Sequence, residues 1–163
     1  MFHDPSTWPA TDTLSQNWES IREEYHSVAT NAQPWVEPEL FDNQWDVYGI
    51  YRFPGGEPIK DHCAACPKTA KLVAQCFPTH GAAGFSVLGP ETDILPHEGY
   101  QGEFLRLHLP LIVPEGDCGL EVGGEVRRWR PGEPLVFDDR VTHRAWNHTT
   151  TARVVLLIDF VPS

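Results

Sequence analysis

The 163-residue sequence has no run of roughly 18 apolar residues, so it holds no segment of the kind that crosses a membrane as a helix. It also lacks a basic N-terminal region followed by an apolar stretch, which a secretory signal peptide requires. We therefore expect a cytoplasmic protein with no membrane partner.

Positive charge is scarce: 12 Lys and Arg residues stand against 23 Asp and Glu residues, which gives a formal net charge of −11. Nucleic acids and anionic membrane surfaces are poor partners for such a chain. The single basic cluster, EVRRWRPG at residues 125–132, is too narrow for a nucleic-acid site, which needs a broad positive face. We interpret this cluster as an exposed hairpin arm and expect no nucleic-acid partner.

Cysteines are few, and their spacing is poor for a metal site. Of the four, Cys63 and Cys66 form a CxxC pair that follows His62. A structural zinc site needs four ligands, usually with a second paired spacing, which this sequence does not have. Zinc binding and a redox role both stay open, but ordinary thiols in a reducing cytosol explain the pair more simply.

Short strands separated by Gly and Pro turns fill the second half of the chain. Seven such segments follow residue 84, and no helix-sized insert separates them. This pattern predicts a mostly β fold, a double-stranded β-helix or jelly roll, rather than a parallel α/β fold.

The first half of the chain predicts two supporting helices. Thr13 and Gln16 form a T-x-x-Q capping box, and apolar residues recur at helical spacing as far as Val28. Pro67 is a plausible first residue of the second helix. We expect a single domain, 1–163, in which residues 1–80 form a support region and residues 84–162 form the β-helix core that carries the site.

Two histidines and an arginine in this β region have a spacing that favours a metal centre. His97 precedes His143 by 46 residues, and Arg153 follows His143 by 10. Each histidine alone is more often structural, but imidazole is the most usual metal-binding side chain. Arg153 lies within the apolar run ARVVLLIDF, where a guanidinium needs an anion. A dicarboxylate such as 2-oxoglutarate would supply one in bidentate fashion.

The segment FLRLHLPL, residues 104–111, adds two further candidates. Its leucines occupy alternate positions and share one face of the predicted strand, whereas Arg106 and His108 share the other. If the leucines pack against the helices, Arg106 and His108 point into the barrel. A barrel interior with two arginines and several histidines is a binding site rather than a core.

Three segments together resemble the aspartyl/asparaginyl β-hydroxylase family: LRLHLPLIVPEG, GEPLVFDDRVTHRAWN and RVVLLIDFVP. The likeness is dense from Ser86 to Pro162 and thinner upstream. It implies an Fe(II)- and 2-oxoglutarate-dependent dioxygenase that uses dioxygen to hydroxylate a C–H bond. The implied target is the β-carbon of an Asp or Asn residue, within a small molecule or peptide that bears a carboxylate or amide.

The resemblance also implies a role for each matching residue. His97 and His143 correspond to the catalytic iron ligands, Ser86 and Arg153 to the pair that binds the far carboxylate of 2-oxoglutarate, His108 to a cosubstrate contact, and Arg106 to a clamp on the substrate carboxylate. Asp138 and Asp139 are expected to satisfy the turn backbone, and Trp146 to support His143.

One departure from the usual non-haem iron site is the residue two positions after His97. That position usually holds a carboxylate, but here it is Gly99. The third ligand is then expected to be water, although the same vacancy could admit chloride, as in a 2-oxoglutarate halogenase. Larger family members carry a membrane anchor and helical repeats, which this chain lacks, so we expect a free amino acid, a small peptide or a carrier-bound residue as substrate.

The main alternative is a cupin-like metal-binding isomerase or binding module. His143 and Asn147 form the H-x3-N of a second cupin motif, but the H-x-H of the first motif is absent. A catalytically inactive scaffold is a further alternative, which the retained histidines and arginines do not favour.

Overall fold

The computed structural model describes all 163 residues. Four α-helices are present: α1 (Ala10–Gln16), α2 (Trp18–Val28), α3 (Lys60–Ala65) and α4 (Pro67–Cys76). Eleven strands accompany them: β1 (Phe2–His3), β2 (Gln33–Pro34), β3 (Trp45–Tyr51), β4 (His80–Leu88), β5 (Thr92–His97), β6 (Leu105–Ile112), β7 (Cys118–Val122), β8 (Glu125–Arg127), β9 (Leu135–Phe137), β10 (His143–Asn147) and β11 (Arg153–Phe160). None of the helices is long and apolar enough to span a membrane.

The strands form two antiparallel sheets. The larger sheet has seven strands in the order β1-β9-β6-β11-β4-β3-β2, and the smaller has four in the order β5-β10-β7-β8. Chain neighbours such as β10 and β11 lie in different sheets, which is the strand exchange of a jelly roll. The predicted mostly β fold is confirmed, and each of the seven predicted segments contains a strand.

The larger sheet separates two apolar cores. On its outer side, the alternate leucines of β6 pack against buried residues of α1, α2 and α4. On its inner side, a smaller core fills the space between the two sheets, with Trp45 and Leu88 from one sheet and Leu120 and Ala145 from the other. Because the β6 leucines face the helices, Arg106 and His108 face the inter-sheet space, as the alternation predicted.

The helical region differs from the prediction in two places: the structure adds α3 (Lys60–Ala65) before the predicted second helix, and the predicted first helix is divided into α1 and α2. A single helix from the Thr13–Gln16 capping box is wrong, because Thr13 lies inside α1 and the chain breaks at Asn17 between α1 and α2. The Asn17 side chain donates a hydrogen bond to the Thr13 carbonyl at 2.7 Å, a local contact that competes with helix continuation. The Pro67 prediction is confirmed, since Pro67 is the first residue of α4.

Candidate active site

His97 and His143 lie side by side in the smaller sheet. His97 ends β5, His143 begins β10, and the two are direct partners across the ladder, with ring centroids 4.3 Å apart. The next pair is Ala145 with Ile94, so the chain advances three residues along β5 but only two along β10. This irregularity has the character of a β-bulge, a device that re-aims side chains next to active sites. Its consequence here is that Ile94 and His97 line the same pocket.

Backbone carbonyls orient both imidazole rings. His97 Nδ1 lies 2.7 Å from the Leu95 carbonyl oxygen, and His143 Nδ1 lies 2.8 Å from that of Val141. A carbonyl only accepts hydrogen bonds, so Nδ1 carries the proton and Nε2 carries the lone pair in each ring. Burial lowers the pKa of His143 to about 4, so this ring is neutral at pH 7, the form that binds a metal.

No third metal-ligating side chain completes a group of three with this pair. Gly99, two residues after His97, is packed against Asp139. Its backbone N–H donates to the Asp139 carbonyl at 2.7 Å, and a Cβ at position 99 would collide with the Asp139 carboxylate. A carboxylate side chain at position 99 would therefore require Asp139 to move.

Arg153 is a buried cation without a counter-ion. It is 1% exposed, and one Nη donates to the Ser86 carbonyl at 3.2 Å and to Ser86 Oγ at 3.0 Å. Its guanidinium stacks over Trp129 at 4.5 Å, but its Nε has no hydrogen-bond partner and no carboxylate forms an ion pair with it. Burial lowers the pKa of Arg153 to about 10, which still leaves it charged at neutral pH.

The Ser86 hydroxyl is also short of an acceptor. Its Oγ accepts from Arg153 and from the indole N–H of Trp45 at 2.9 Å. Because both neighbours are donors, the Ser86 O–H is left free to donate. A guanidinium Nε and a hydroxyl, both buried and both free to donate, are what an incoming carboxylate would complete.

His108 is fixed as a neutral donor by Trp129. The Trp129 indole N–H donates to His108 Nδ1 at 3.1 Å, so the ring proton is on Nε2. Burial, reinforced by Arg153 and Arg106, holds the pKa of His108 well below its ordinary value. His108 therefore offers one N–H to the pocket that it lines.

The interpretation of residues 125–132 as an exposed arm is wrong for Trp129. The neighbouring Arg128 and Arg130 are exposed, but Trp129 is 3% exposed and contacts both Arg153 and His108. The sequence reasoning missed this residue. A tryptophan in an otherwise basic, polar hairpin was the feature that could have revealed it.

Arg106 differs from Arg153 because it is paired within the protein. Its Nε and Nη2 donate to the two carboxylate oxygens of Asp159 at 2.7 and 2.9 Å, and Asp139 lies 3.6 Å away. Burial alone would lower the pKa of Arg106, but the Asp159 and Asp139 charges outweigh it and raise the pKa. Arg106 therefore already has protein anions as partners, and its role as a clamp on the substrate carboxylate stays a prediction.

Two of the supporting residues also differ from expectation. Asp138 accepts from the Arg140 backbone at 3.0 Å, as expected of a turn residue, whereas the Asp139 carboxylate faces Arg106. Trp146 does not support His143, because successive β10 residues face opposite ways. Its indole donates to Asp117 and its ring stacks under Arg144.

The CxxC pair lies on the helix side, away from this pocket. All four cysteines are free, and Cys66 is part of the helix-side core. Burial raises the pKa of the Cys66 thiol to about 12 and also raises that of Cys63. Zinc binding and redox chemistry both use the thiolate, so these raised values disfavour both roles for the pair.

One pocket between the sheets brings together all the sequence-predicted site residues: Ser86, His97, Arg106, His108, His143 and Arg153. It contains about 380 Å³ of space free of protein atoms, part of it open to solvent. Apolar side chains such as Ile94, Leu120 and Phe137 form the rest of its wall.

Comparison with protein families matches residues 15–162 to a model described as aspartyl/asparaginyl beta-hydroxylase. Among curated relatives, the ornithine lipid ester-linked acyl 2-hydroxylase of Rhizobium tropici is 33% identical over 98% of this chain and 59% of its own length. The mouse aspartyl/asparaginyl beta-hydroxylase is 28% identical over 90% of this chain and 21% of its own length. The chain thus spans about three-fifths of the first relative and about a fifth of the second.

Solved structures share the fold at low sequence identity. A Pseudomonas putida prolyl-4-hydroxylase aligns with a TM-score of 0.59 at 15% identity, over 96% of this chain and 99% of its own. A cupin-2 domain from Rhodospirillum rubrum aligns with a TM-score of 0.50 at 11% identity, over 80% of this chain and 69% of its own.

Proposed function

Because this chain belongs to the aspartyl/asparaginyl β-hydroxylase family, we propose that it is an Fe(II)- and 2-oxoglutarate-dependent dioxygenase that hydroxylates a C–H bond. The observation that carries the proposal is the content of one pocket: two imidazole Nε2 lone pairs beside a buried arginine that has no counter-ion. The family match and the hydroxylase relatives support the reaction class.

His97 and His143 would hold the iron through Nε2. The donor set fits, since imidazole suits Fe(II) and two histidines are the protein nitrogen ligands of many non-haem iron oxygenases. With 2-oxoglutarate and dioxygen bound, the iron centre would supply the oxidant that inserts one oxygen atom into a C–H bond. Because residue 99 is glycine, no side chain at this position would compete for the open positions.

Arg153 and Ser86 would bind the far carboxylate of 2-oxoglutarate. The free Nε of Arg153 and the free O–H of Ser86 both lack an acceptor, and a carboxylate satisfies both. The Nε2–H of His108 would donate to the cosubstrate nearer the metal. The charge balance of the interior supports this assignment. Two cations, Arg106 and Arg153, are matched there by two carboxylates, Asp139 and Asp159, so the net charge of these four groups is zero. A divalent metal and a dicarboxylate would add equal and opposite charge.

Trp129, Trp45 and the ion pair of Arg106 with Asp159 would position these groups. Trp129 stacks on Arg153 and orients His108, and Trp45 holds Ser86 from the other side. The bidentate ion pair of Arg106 with Asp159 joins β6 to β11 at the inner face. Rigid positioning of this kind lowers the barrier by ordering the reactants in advance.

Two substrate classes are candidates, and each is supported by a different comparison. The β-carbon of an Asp or Asn residue, free, in a peptide or carrier-bound, follows from the family. An aliphatic acyl chain follows from the Rhizobium relative, which covers nearly the whole chain. The pairing of Arg106 with Asp159 favours the second class, since it leaves that cation less available to a substrate carboxylate. A cytoplasmic location stays a prediction.

Isomerase and halogenase activities have weaker support than hydroxylation. A cupin-like isomerase shares the fold but gives no reason for a buried arginine that lacks an anion. Halogenation would use the same open metal position, and product analysis in the presence of chloride separates it from hydroxylation.

Succinate formation from 2-oxoglutarate tests the proposal. Purified protein with Fe(II), ascorbate and oxygen should release succinate, and His97→Ala and Arg153→Met should abolish it. Arg144→Met, on the opposite face of β10 from His143, serves as the matched control and should leave turnover unchanged. Absence of both succinate and 2-oxoglutarate binding in the folded, metal-loaded protein would refute the proposal.

A further inference from the structure

Three aromatic side chains form a continuous strip, which we call the aromatic rim: Phe53, Tyr100 and Phe104. Phe53 meets Tyr100 edge to face with ring centroids 5.1 Å apart, and Tyr100 packs on Phe104 at 6.1 Å. Phe53 is 53% exposed and Tyr100 is 51% exposed. Large apolar side chains that stay exposed together are unusual unless they bind something.

The aromatic rim lies outside the lining of the pocket and is joined to it through β6. Phe104 directly precedes β6, and Phe104, Arg106 and His108 occupy alternate positions. Alternate residues of a strand share one face, so the line from His108 through Arg106 to Phe104 leads outward from the pocket. The Phe104 ring also covers Gly81, where a Cβ would come within 2.7 Å of it.

A second connection runs through β5. Tyr100 lies three residues after His97 and is the neighbour of Gly99, which packs against Asp139. The aromatic rim is therefore tied both to the strand that carries one histidine of the pair and to the strand that carries Arg106. A molecule whose reactive carbon reaches the histidine pair from this side passes over it.

The charges around this route do not favour an acidic substrate. Arg106 is held by Asp159 and Asp139, and Arg153 lies deeper, next to Ser86. Arg140, near the rim through its hydrogen bond to the Gly102 carbonyl, is occupied by Asp138 at 2.8 Å. Arg106 and Arg140 are thus paired within the protein, while the rings of Phe53 and Tyr100 offer an apolar surface.

We propose that the aromatic rim binds an aliphatic acyl segment of the substrate and so sets the specificity of the site. The inference rests on the proposed hydroxylase function and selects between its two substrate classes. Each methylene buried against such a surface strengthens binding roughly fourfold. Affinity should therefore rise steeply with chain length, which no binding mode based on a carboxylate or amide alone would produce.

Two probes that differ only in chain length test this, N-butanoylglycine and N-dodecanoylglycine, the latter kept below its micelle concentration. Calorimetry would use folded protein loaded with Mn(II) and 2-oxoglutarate without oxygen, so that binding is measured without turnover. If half of the eight extra methylenes are buried, the longer probe should bind at least about 100-fold more tightly.

The double variant Phe53→Ser/Tyr100→Ser should weaken the longer probe about tenfold or more and the shorter probe less than twofold. Phe53→Leu/Tyr100→Leu, which keeps the apolar surface, should retain most of the affinity. Val126→Ser, a 48%-exposed apolar position on β8, is the matched control and should bind both probes as the unaltered protein does.

Equal affinity for the two probes, or an equal loss of the longer probe in the Val126→Ser control, would overturn the proposal. A separate titration with 2-oxoglutarate keeps the two hypotheses apart. If chain-length dependence is present but 2-oxoglutarate does not bind, the proposed function fails and the aromatic rim stands as an acyl-binding surface. If 2-oxoglutarate binds and turns over without chain-length dependence, only the rim proposal fails.

Discussion

The two buried arginines should respond in opposite ways to the same substitution. Arg153 has no protein counter-ion, and burial lowers its pKa from the ordinary arginine value to about 10. The charged form is therefore penalised by about 3 kcal/mol in the folded protein, at 1.36 kcal/mol per pKa unit. Arg153→Met removes that penalty and also removes the stacking on Trp129 and the contact with Ser86, worth about 1–2 kcal/mol together.

We expect Arg153→Met to stabilise the ligand-free protein by about 1–2 kcal/mol, which corresponds to a Tm increase of roughly 2–8 °C for a chain of this size. The same variant should lose 2-oxoglutarate binding. Arg106→Met is the matched comparison. It leaves the Asp159 and Asp139 carboxylates buried and unpaired, so it should destabilise the protein by about 3–5 kcal/mol.

Thermal unfolding of the ligand-free proteins, followed by circular dichroism, measures both effects. A lower Tm for Arg153→Met than for the unaltered protein, together with unchanged 2-oxoglutarate affinity, would refute the view that Arg153 is an uncompensated cation held for a ligand. Similar losses of stability in both variants would mean that Arg153 is a structural residue like Arg106.

Three further predictions concern the metal ligands, the packing at position 99 and a surface histidine. His143→Ala should abolish Mn(II) binding measured by electron paramagnetic resonance, because it removes one of two protein ligands; near-native affinity would mean that the ligand assignment is wrong. Gly99→Ala should destabilise the protein by about 1–3 kcal/mol in urea unfolding, because its Cβ collides with the Asp139 carboxylate, and an unchanged midpoint would contradict this. Hydrogen bonds to Asp93 and Asp117 raise the pKa of His148, so its contribution to stability is complete below pH 6.5 and is lost as the pH rises through the raised pKa. The stability difference between the protein and His148→Gln should shrink across that window, and a constant difference would show that His148 is not protonated there.

Much of the site could be predicted from the sequence because strand alternation is a local property. The leucines at every second position of β6 determined where Arg106 and His108 face, and the placement of Arg153 in an apolar strand indicated an internal anion site. These inferences needed no knowledge of which strands pair.

The residues that were missed depend on register between distant strands. Asp159 neutralises Arg106 only because β6 and β11 pair in a register that sets them opposite each other, 53 residues apart in sequence. Trp129 reaches Arg153 and His108 from a hairpin whose composition is that of a surface segment. The bulge between β5 and β10 that aims His97 inward has no feature in the sequence that marks it. Single-sequence patterns do not specify such pairings.

The helix break at Asn17 has a different cause. The apolar spacing continues through it, so periodicity alone predicts one helix. The break comes from an asparagine side chain that bonds to the Thr13 carbonyl, a local competition that outweighs the pattern.

The most direct test of the central claim is a calorimetric titration of 2-oxoglutarate into the folded protein, with and without Mn(II) and in the absence of oxygen. If the histidine pair and Arg153 serve one ligand assembly, 2-oxoglutarate should bind in a 1:1 ratio and at least about tenfold more tightly when the metal is present, a coupling of roughly 1.4 kcal/mol. Binding that is unaffected by the metal, or no binding in either condition, would contradict the assignment of this pocket as a joint metal and 2-oxoglutarate site.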